Sequence, residues 1–210
     1  MKKTELITIA DNEAYLRQIS KPVNIKDDDL DQNLLALEKY CQENDVLAMA
    51  SVQIGIPKRI IYLKNTSLEI VNKLLKNSAT TEEKNHNEAR ILINPVIKKR
   101  EGLTEYWENC ASCLDNMGLV KRPYKICIEY LDPNGKIHKD TFKGFESTVL
   151  SHEMDHLDGI LHIDIADQIL NMPSEERKVF RQTHDYKIIS TEGNYEDLIK
   201  ENNKKEYKNE

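Results

Sequence analysis

Only 7 of the 210 residues are glycine, against a usual share of about 7%, a shortage that returns at one motif below. Long apolar runs are missing. No stretch approaches the roughly 20 residues of a membrane span, and the opening MKKTELITIADNE has no apolar core of a secretory signal. The four cysteines, Cys41, Cys110, Cys113 and Cys127, are too few and too irregularly spaced for a secreted disulfide framework. Positive charge is short as well. With 30 Lys and Arg against 36 Asp and Glu the net charge is −6, the wrong sign for wrapping DNA or RNA through its phosphates. Together these absences point to a cytoplasmic protein with no DNA or membrane partner, whose reduced thiols are free to bind metal.

What is present suits one domain with a real core. Residues 1–25 read as an extended surface arm. A helix follows Asp27-Asp28-Asp29, whose charges suit the positive end of the dipole. Leu30, Leu34, Leu37 and Cys41 lie on one face of it at helical spacing, and it ends near Glu43–Asp45. Ile60–Leu63, Arg90–Ile97 and Lys125–Leu131 read as strands, and Asp132-Pro-Asn-Gly135 turns into another near Ile137–Phe142. Residues 146–157 read as a helix, as do 174–187, with Ser174 a cap candidate. The Asn-, Lys- and Glu-rich stretch 65–90 reads as a surface insertion in a single domain spanning 1–190. Residues 191–210 read as a flexible polar tail. Strands in the middle and helices at the edges predict an α+β architecture.

The chemistry concentrates at His152-Glu153-Met154-Asp155-His156. On a helix, residues four apart share a face, so both imidazoles reach one metal ion, with Glu153 beside them to handle the proton of an attacking water. A catalytic ion needs a third ligand. Downstream, HEMDHLDGILH fits a metzincin spacing with Gly159 at the turn and His162 as the ligand. Upstream, WENCASC offers Cys110 and Cys113. Spacing alone leaves His162 and Cys110 both open. If 108–114 is extended, Cys110 and Cys113 point to opposite faces, which argues against a closed Cys₂His₂ zinc site.

Three segments, in order, resemble the peptide deformylase family, which removes the N-formyl group from nascent chains. HEMDHLDG at 152–159 matches that family's third motif in full. ENCAS at 108–112 is similar to its second, EGCLS, and VLAMASVQIG at 46–55 to its first, GxGLAAxQxG. The lines between, RILINPVI, RPYKICIEYLDPNG and the N-terminal AYLRQISKPV, are similar too. The resemblance implies antiparallel or mixed β-sheets around a central helix bearing the HExxH motif, with an N-terminal and a C-terminal helix. It implies one divalent ion on Cys110, His152 and His156, Fe²⁺ in the cell with Zn²⁺, Ni²⁺ or Co²⁺ able to substitute, although a Cys-His-His set by itself suits Zn²⁺. It implies Glu153 as general acid/base, Gln53 and the Ala111 backbone N–H as oxyanion donors, and Glu108 with Arg122 as an ion pair behind the metal. The implied partners are N-formylmethionyl peptides of nascent chains, with a transient ribosome contact.

Three positions depart from the family pattern. Val46 and Ala48 stand where it has glycine, and Asn109 stands where glycine precedes the cysteine. Glycine serves positive φ or close backbone approach, so these three residues are expected to line a re-shaped peptide groove beside an intact chemical centre. The alternatives are a related protein that binds without deformylating or acts on another N-acyl group, the closed zinc site, and a protease using His162.

Overall fold

The computed structural model describes residues 5–64 and 89–206, with side chains to 202. The expected insertion at 65–90 therefore lies almost wholly outside the described residues. Eight strands form one sheet among them: β1 Ala48–Ala50, β2 Ile60–Leu63, β3 Arg90–Asn109, β4 Asn116–Arg122, β5 Lys125–Leu131, β6 Ile137–Lys143, β7 Gln168–Asn171 and β8 Lys187–Asn194. The helices are α1 Ile9–Leu16, α2 Leu30–Glu43, α3 Phe145–Leu157, α4 Ser174–Phe180 and α5 Tyr195–Glu206.

Strand β3 is the spine. Its first half pairs with β2 and β5, its second with β4 and β8, all antiparallel. Register shifts against β5, between Ile93 and Val96 and between Ile97 and Lys99, interrupt the ladder in its first half. The apolar run Ile60–Leu63 is explained by burial on both faces. Ile61 and Leu63 join a core cluster with Leu150, Met154 and Leu157 of α3. Ile60 and Tyr62, pointing the other way, pack under Leu30, Leu34, Leu37 and Cys41 of α2. The fold is α+β, with α3 held against the sheet.

The arm expected at residues 1–25 contains a helix, a correction with a local cause. Thr8 and Asp11 form a capping box: the Thr8 Oγ1 accepts the Asp11 N–H at 3.3 Å, and Asp11 Oδ2 accepts the Thr8 N–H at 3.0 Å. Arg17, just past α1, holds Asp164 in a two-pronged ion pair at 2.7 and 2.9 Å. The same segment explains Gly159. Its φ is +74°, and a Cβ there would overlap the Arg17 carbonyl.

The C-terminal readings change too. The helix expected over 174–187 stops at Phe180, and residues 191–206 of the expected polar tail form the end of β8 and then α5. The second half of β3 has an edge opposite β4, and backbone groups of any sequence can fill it. The Tyr195 hydroxyl then donates to the Lys121 carbonyl at 3.0 Å, tying the start of α5 to β4.

Candidate metal and active site

A cleft of about 450 Å³ opens between β1, the end of β3 and α3, bordered by Ala48, Gln53, Tyr106, Cys110, His152 and Glu153. The sequence folds this way because each chemical residue sits where a core element ends. Helix α3 is buried on most sides, so its polar residues face protein or the cleft. His152 and His156 stand one turn apart on it, with ring centroids 4.9 Å apart. Cys110 follows the last residue of β3, and its chain is extended (φ −131°, ψ 135°) before a 3₁₀ turn at Ala111–Cys113.

The donor atoms of Cys110, His152 and His156 lie within 4.8 Å of one another, the one such group among the described residues. Cys110 Sγ is 3.2 Å from His156 Nε2. His152 Nδ1 meets Glu108 Oε2 at 2.9 Å, which leaves Nε2 for the group of donors. Burial lowers the pKa of His156, favouring the neutral imidazole that a metal requires. One thiolate and two imidazoles are a donor set for a divalent ion with a position left open, so the residues present fit the expected cofactor.

Behind His152, Glu108 is 4% exposed and Arg122 equally buried. Their two bonds, Arg122 Nε to Oε1 at 2.8 Å and Nη2 to Oε2 at 2.9 Å, make a fork. Arg122 Nη1 also bonds Asp155 of α3. Burial would push the Glu108 carboxyl up, but Arg122, aided by His152, holds it well below the usual carboxylate range. Arg122→Met is therefore expected to strand a buried charge. The loss should be about 3–5 kcal/mol in urea unfolding, with metal affinity about 10–100-fold weaker by chelator competition as His152 loses its brace. Unchanged stability would show that this pair carries no structural weight.

Glu153 and Gln53 meet at one backbone group. The Ala50 N–H donates to Glu153 Oε2 at 2.7 Å and to Gln53 Oε1 at 3.1 Å. Gln53 Nε2 in turn donates to Ser112 Oγ at 3.1 Å and Cys110 Sγ at 3.3 Å. Burial pushes the Glu153 carboxyl up to about 7. Ala111, exposed, also borders the cleft.

The two rival third donors lie close by but outside the donor group, the His162 ring 5.5 Å from that of His152. His162 Nε2 faces the Asn116 carbonyl at 3.2 Å, and His162 is outside the converging group. Cys113 is outside it too, but not for the reason expected. The strand ends at Asn109 and the extended course at Cys110, and in the turn that follows the Cys113 N–H donates to the Cys110 carbonyl at 2.9 Å. The Cys113 side chain is buried with Leu16, Leu161 and Cys110 itself.

Val46, Ala48 and Asn109 all border the cleft. None has positive φ. Ala48 pairs with Leu63 and Asn109 with Met117, both in strands. The missing glycines therefore leave no backbone strain at these positions; what changes is side-chain volume. Sequence reasoning missed Tyr106, Phe145 and Arg181, which also border the cleft. Tyr106 could have been found by counting back along β3 in steps of two from Glu108; Arg181 carried no signal.

The profile of the polypeptide deformylase family matches residues 4–172. The peptide deformylase of Pelagibacter ubique (strain HTCC1062) is 35% identical over 159 residues, covering 73% of this chain and 81% of that protein. That of Rhizobium meliloti (strain 1021) is 32% identical over 155 residues, covering 73% and 80%. A peptide deformylase from Synechococcus elongatus, solved in complex with actinonin, superposes with a TM-score of 0.64 at 28% identity, covering 80% of this chain and 84% of that one. A class I type b peptide deformylase from Acinetobacter baumannii with Met-Ala-Ser bound gives 0.63 at 25% identity, covering 76% and 96%. The matched segment carries β1, the Cys110 turn and α3 alike, so similarity and site geometry coincide: the chain belongs to the peptide deformylase family.

Proposed function

We propose that Cys110, His152 and His156 hold the divalent ion and that Glu153, Gln53 and Ala111 carry out deformylation around it. The family's reaction is hydrolysis of the N-formyl amide of formylmethionyl peptides, giving formate and a free amine. The observation that carries the residue assignment is the meeting of three donor atoms within 4.8 Å beside a buried carboxyl. When bound, the ion supplies Lewis acidity to the formyl carbonyl and lowers the pKa of water from about 15.7 towards 7.

The residues supply the rest. Glu153 accepts a proton from the attacking water and passes it to the departing amine, a shuttle suited to a carboxyl near 7. Gln53 Nε2, pre-set by its Oε1 bond to Ala50, turns from Ser112 to the developing oxyanion. The Ala111 N–H is the second donor. One such donor is worth about 3–4 kcal/mol. Glu108, fixed by Arg122, keeps His152 in the tautomer that presents Nε2. The donor set suits Fe²⁺ or Zn²⁺; we favour Fe²⁺ in the cell by family resemblance. On the same ground we place the protein in the cytoplasm, in transient contact with the ribosome. No helix among the described residues is long and apolar enough to cross a membrane.

The test is formate release from a formyl-Met peptide by protein loaded anaerobically with Fe²⁺. Fully metallated protein that releases none would overturn the assignment. In the same assay, Ala48→Gly is expected to raise kcat/KM about ten-fold, the scale of one obstructed contact in a binding pocket. An unchanged value would show that the Ala48 methyl lies clear of the peptide.

A further inference from the structure

The matched family segment ends at residue 172, yet a residue beyond it borders the cleft. Helix α4 is clamped to the chain on both sides of Cys110. Phe180 packs edge-on against Trp107 with centroids 5.3 Å apart. Arg177 Nη1 donates to the Met172 carbonyl at 2.9 Å and reaches Asp115 at 3.2 Å. This places Arg181, just after the helix, at the cleft wall. Its Nη2 donates to the Trp107 carbonyl at 3.3 Å and to Asn109 Oδ1, and its guanidinium lies 5.5 Å from the centre of the Tyr106 ring.

Every one of these partners is neutral. No carboxylate pairs with Arg181 among the described residues, and its buried Nε has no partner. Among the described residues Arg181 is also the sole lysine or arginine bordering the cleft, and the two carboxyl groups there, Glu108 and Glu153, are engaged with Arg122, His152 and Ala50. A guanidinium is a rigid fork matched to carboxylates, and among the described residues this one meets no carboxylate at the wall of a peptide site.

We propose that Arg181 is a specificity-determining residue that receives a carboxylate of the substrate peptide, favouring formylmethionyl chains with an acidic side chain close to the formyl end. The inference rests on the deformylase reading of the cleft. The acidic side chain, rather than a chain-terminal carboxylate, is the intended ligand, because a nascent chain presents its N-terminus long before its last residue.

The experiment compares kcat/KM of the metal-loaded enzyme on formyl-Met-Ala-Glu-amide and formyl-Met-Ala-Gln-amide. Formyl-Met-Ala with a free carboxylate or as its amide forms a second pair. Wild type is expected to prefer the Glu peptide about ten-fold, the scale of one charge-assisted hydrogen bond, with the preference falling in 0.5 M NaCl. Arg181→Gln should bring the Glu/Gln ratio to near one, and Arg181→Lys should restore part of it. A purely structural role in holding α4 would lower both peptides together and leave the ratio untouched, which would overturn the proposal. So would a wild-type ratio of one with both peptides cleaved, or a preference confined to the free-carboxylate pair. Failure to cleave any of the four peptides would instead overturn the deformylase reading, and this proposal with it.

Discussion

Replacing Glu153 with alanine is expected to lower kcat about a thousand-fold while the protein keeps its metal. General acid–base groups contribute about 10²–10⁴-fold, and the expected loss lies in the middle of that range. The residue is 6% exposed, with Oε2 bonded to the Ala50 N–H. Its pKa is raised by burial to about 7, where it takes and returns a proton with nearly equal ease. It lies outside the converging donor group, so the metal content measured by atomic absorption should match wild type. Glu153→Gln separates chemistry from packing. The amide oxygen still accepts the Ala50 N–H, but the group no longer exchanges a proton, so formate release should fall almost as far as in the alanine variant. Turnover within ten-fold of wild type in the Gln variant would remove Glu153 from the proton path.

Cys110→Ser is expected to strip most of the metal under chelator challenge. A neutral hydroxyl replaces a thiolate, the one anionic donor of the set, and soft sulfur is what holds such ions against competition. Cys113→Ser and His162→Ala are the controls. Cys113 is packed with Leu16, Leu161 and Cys110 but stands outside the donor group, and His162 is turned to the Asn116 carbonyl, so both variants should keep the metal. Full occupancy in Cys110→Ser would overturn the ligand assignment. Loss of metal in Cys113→Ser, with an unchanged circular dichroism spectrum, would point to the closed four-ligand site. Loss in His162→Ala would point to the protease-like one.

Several parts of this protein were legible in its residues because they depend on local periodicity. The α2 stripe Leu30, Leu34, Leu37 and Cys41 is buried as spaced, and Lys125–Leu131 alternates as a strand with one face inside. The HExxH pair sits on one helix face because four residues make nearly one turn. Reading failed where the cause was a pairing or a cap. The capping box of Thr8 and Asp11 is a local signal present in the residues. The β8–α5 segment carries no such signal, since its polar residues gain order from an open strand edge far away in sequence.

By itself, the sequence determined which residues could do chemistry: one cysteine motif, one histidine motif and one glutamine, in the order of a known family. The tertiary structure decided which of them meet. Spacing could not separate Cys110 from His162, because a ligand 42 residues away and one 6 residues away are equal on paper until a strand end is packed against a helix. Only the packing of β3 on α3 brought Cys110 Sγ to 3.2 Å from His156 Nε2 and left His162 facing a backbone carbonyl. The same holds for Arg181, which reaches the cleft because aromatic packing and Arg177 hold α4 beside the Cys110 turn. Short-range periodicity is written in neighbouring residues; convergence is set by which buried surfaces fit together, and that is a property of the whole chain.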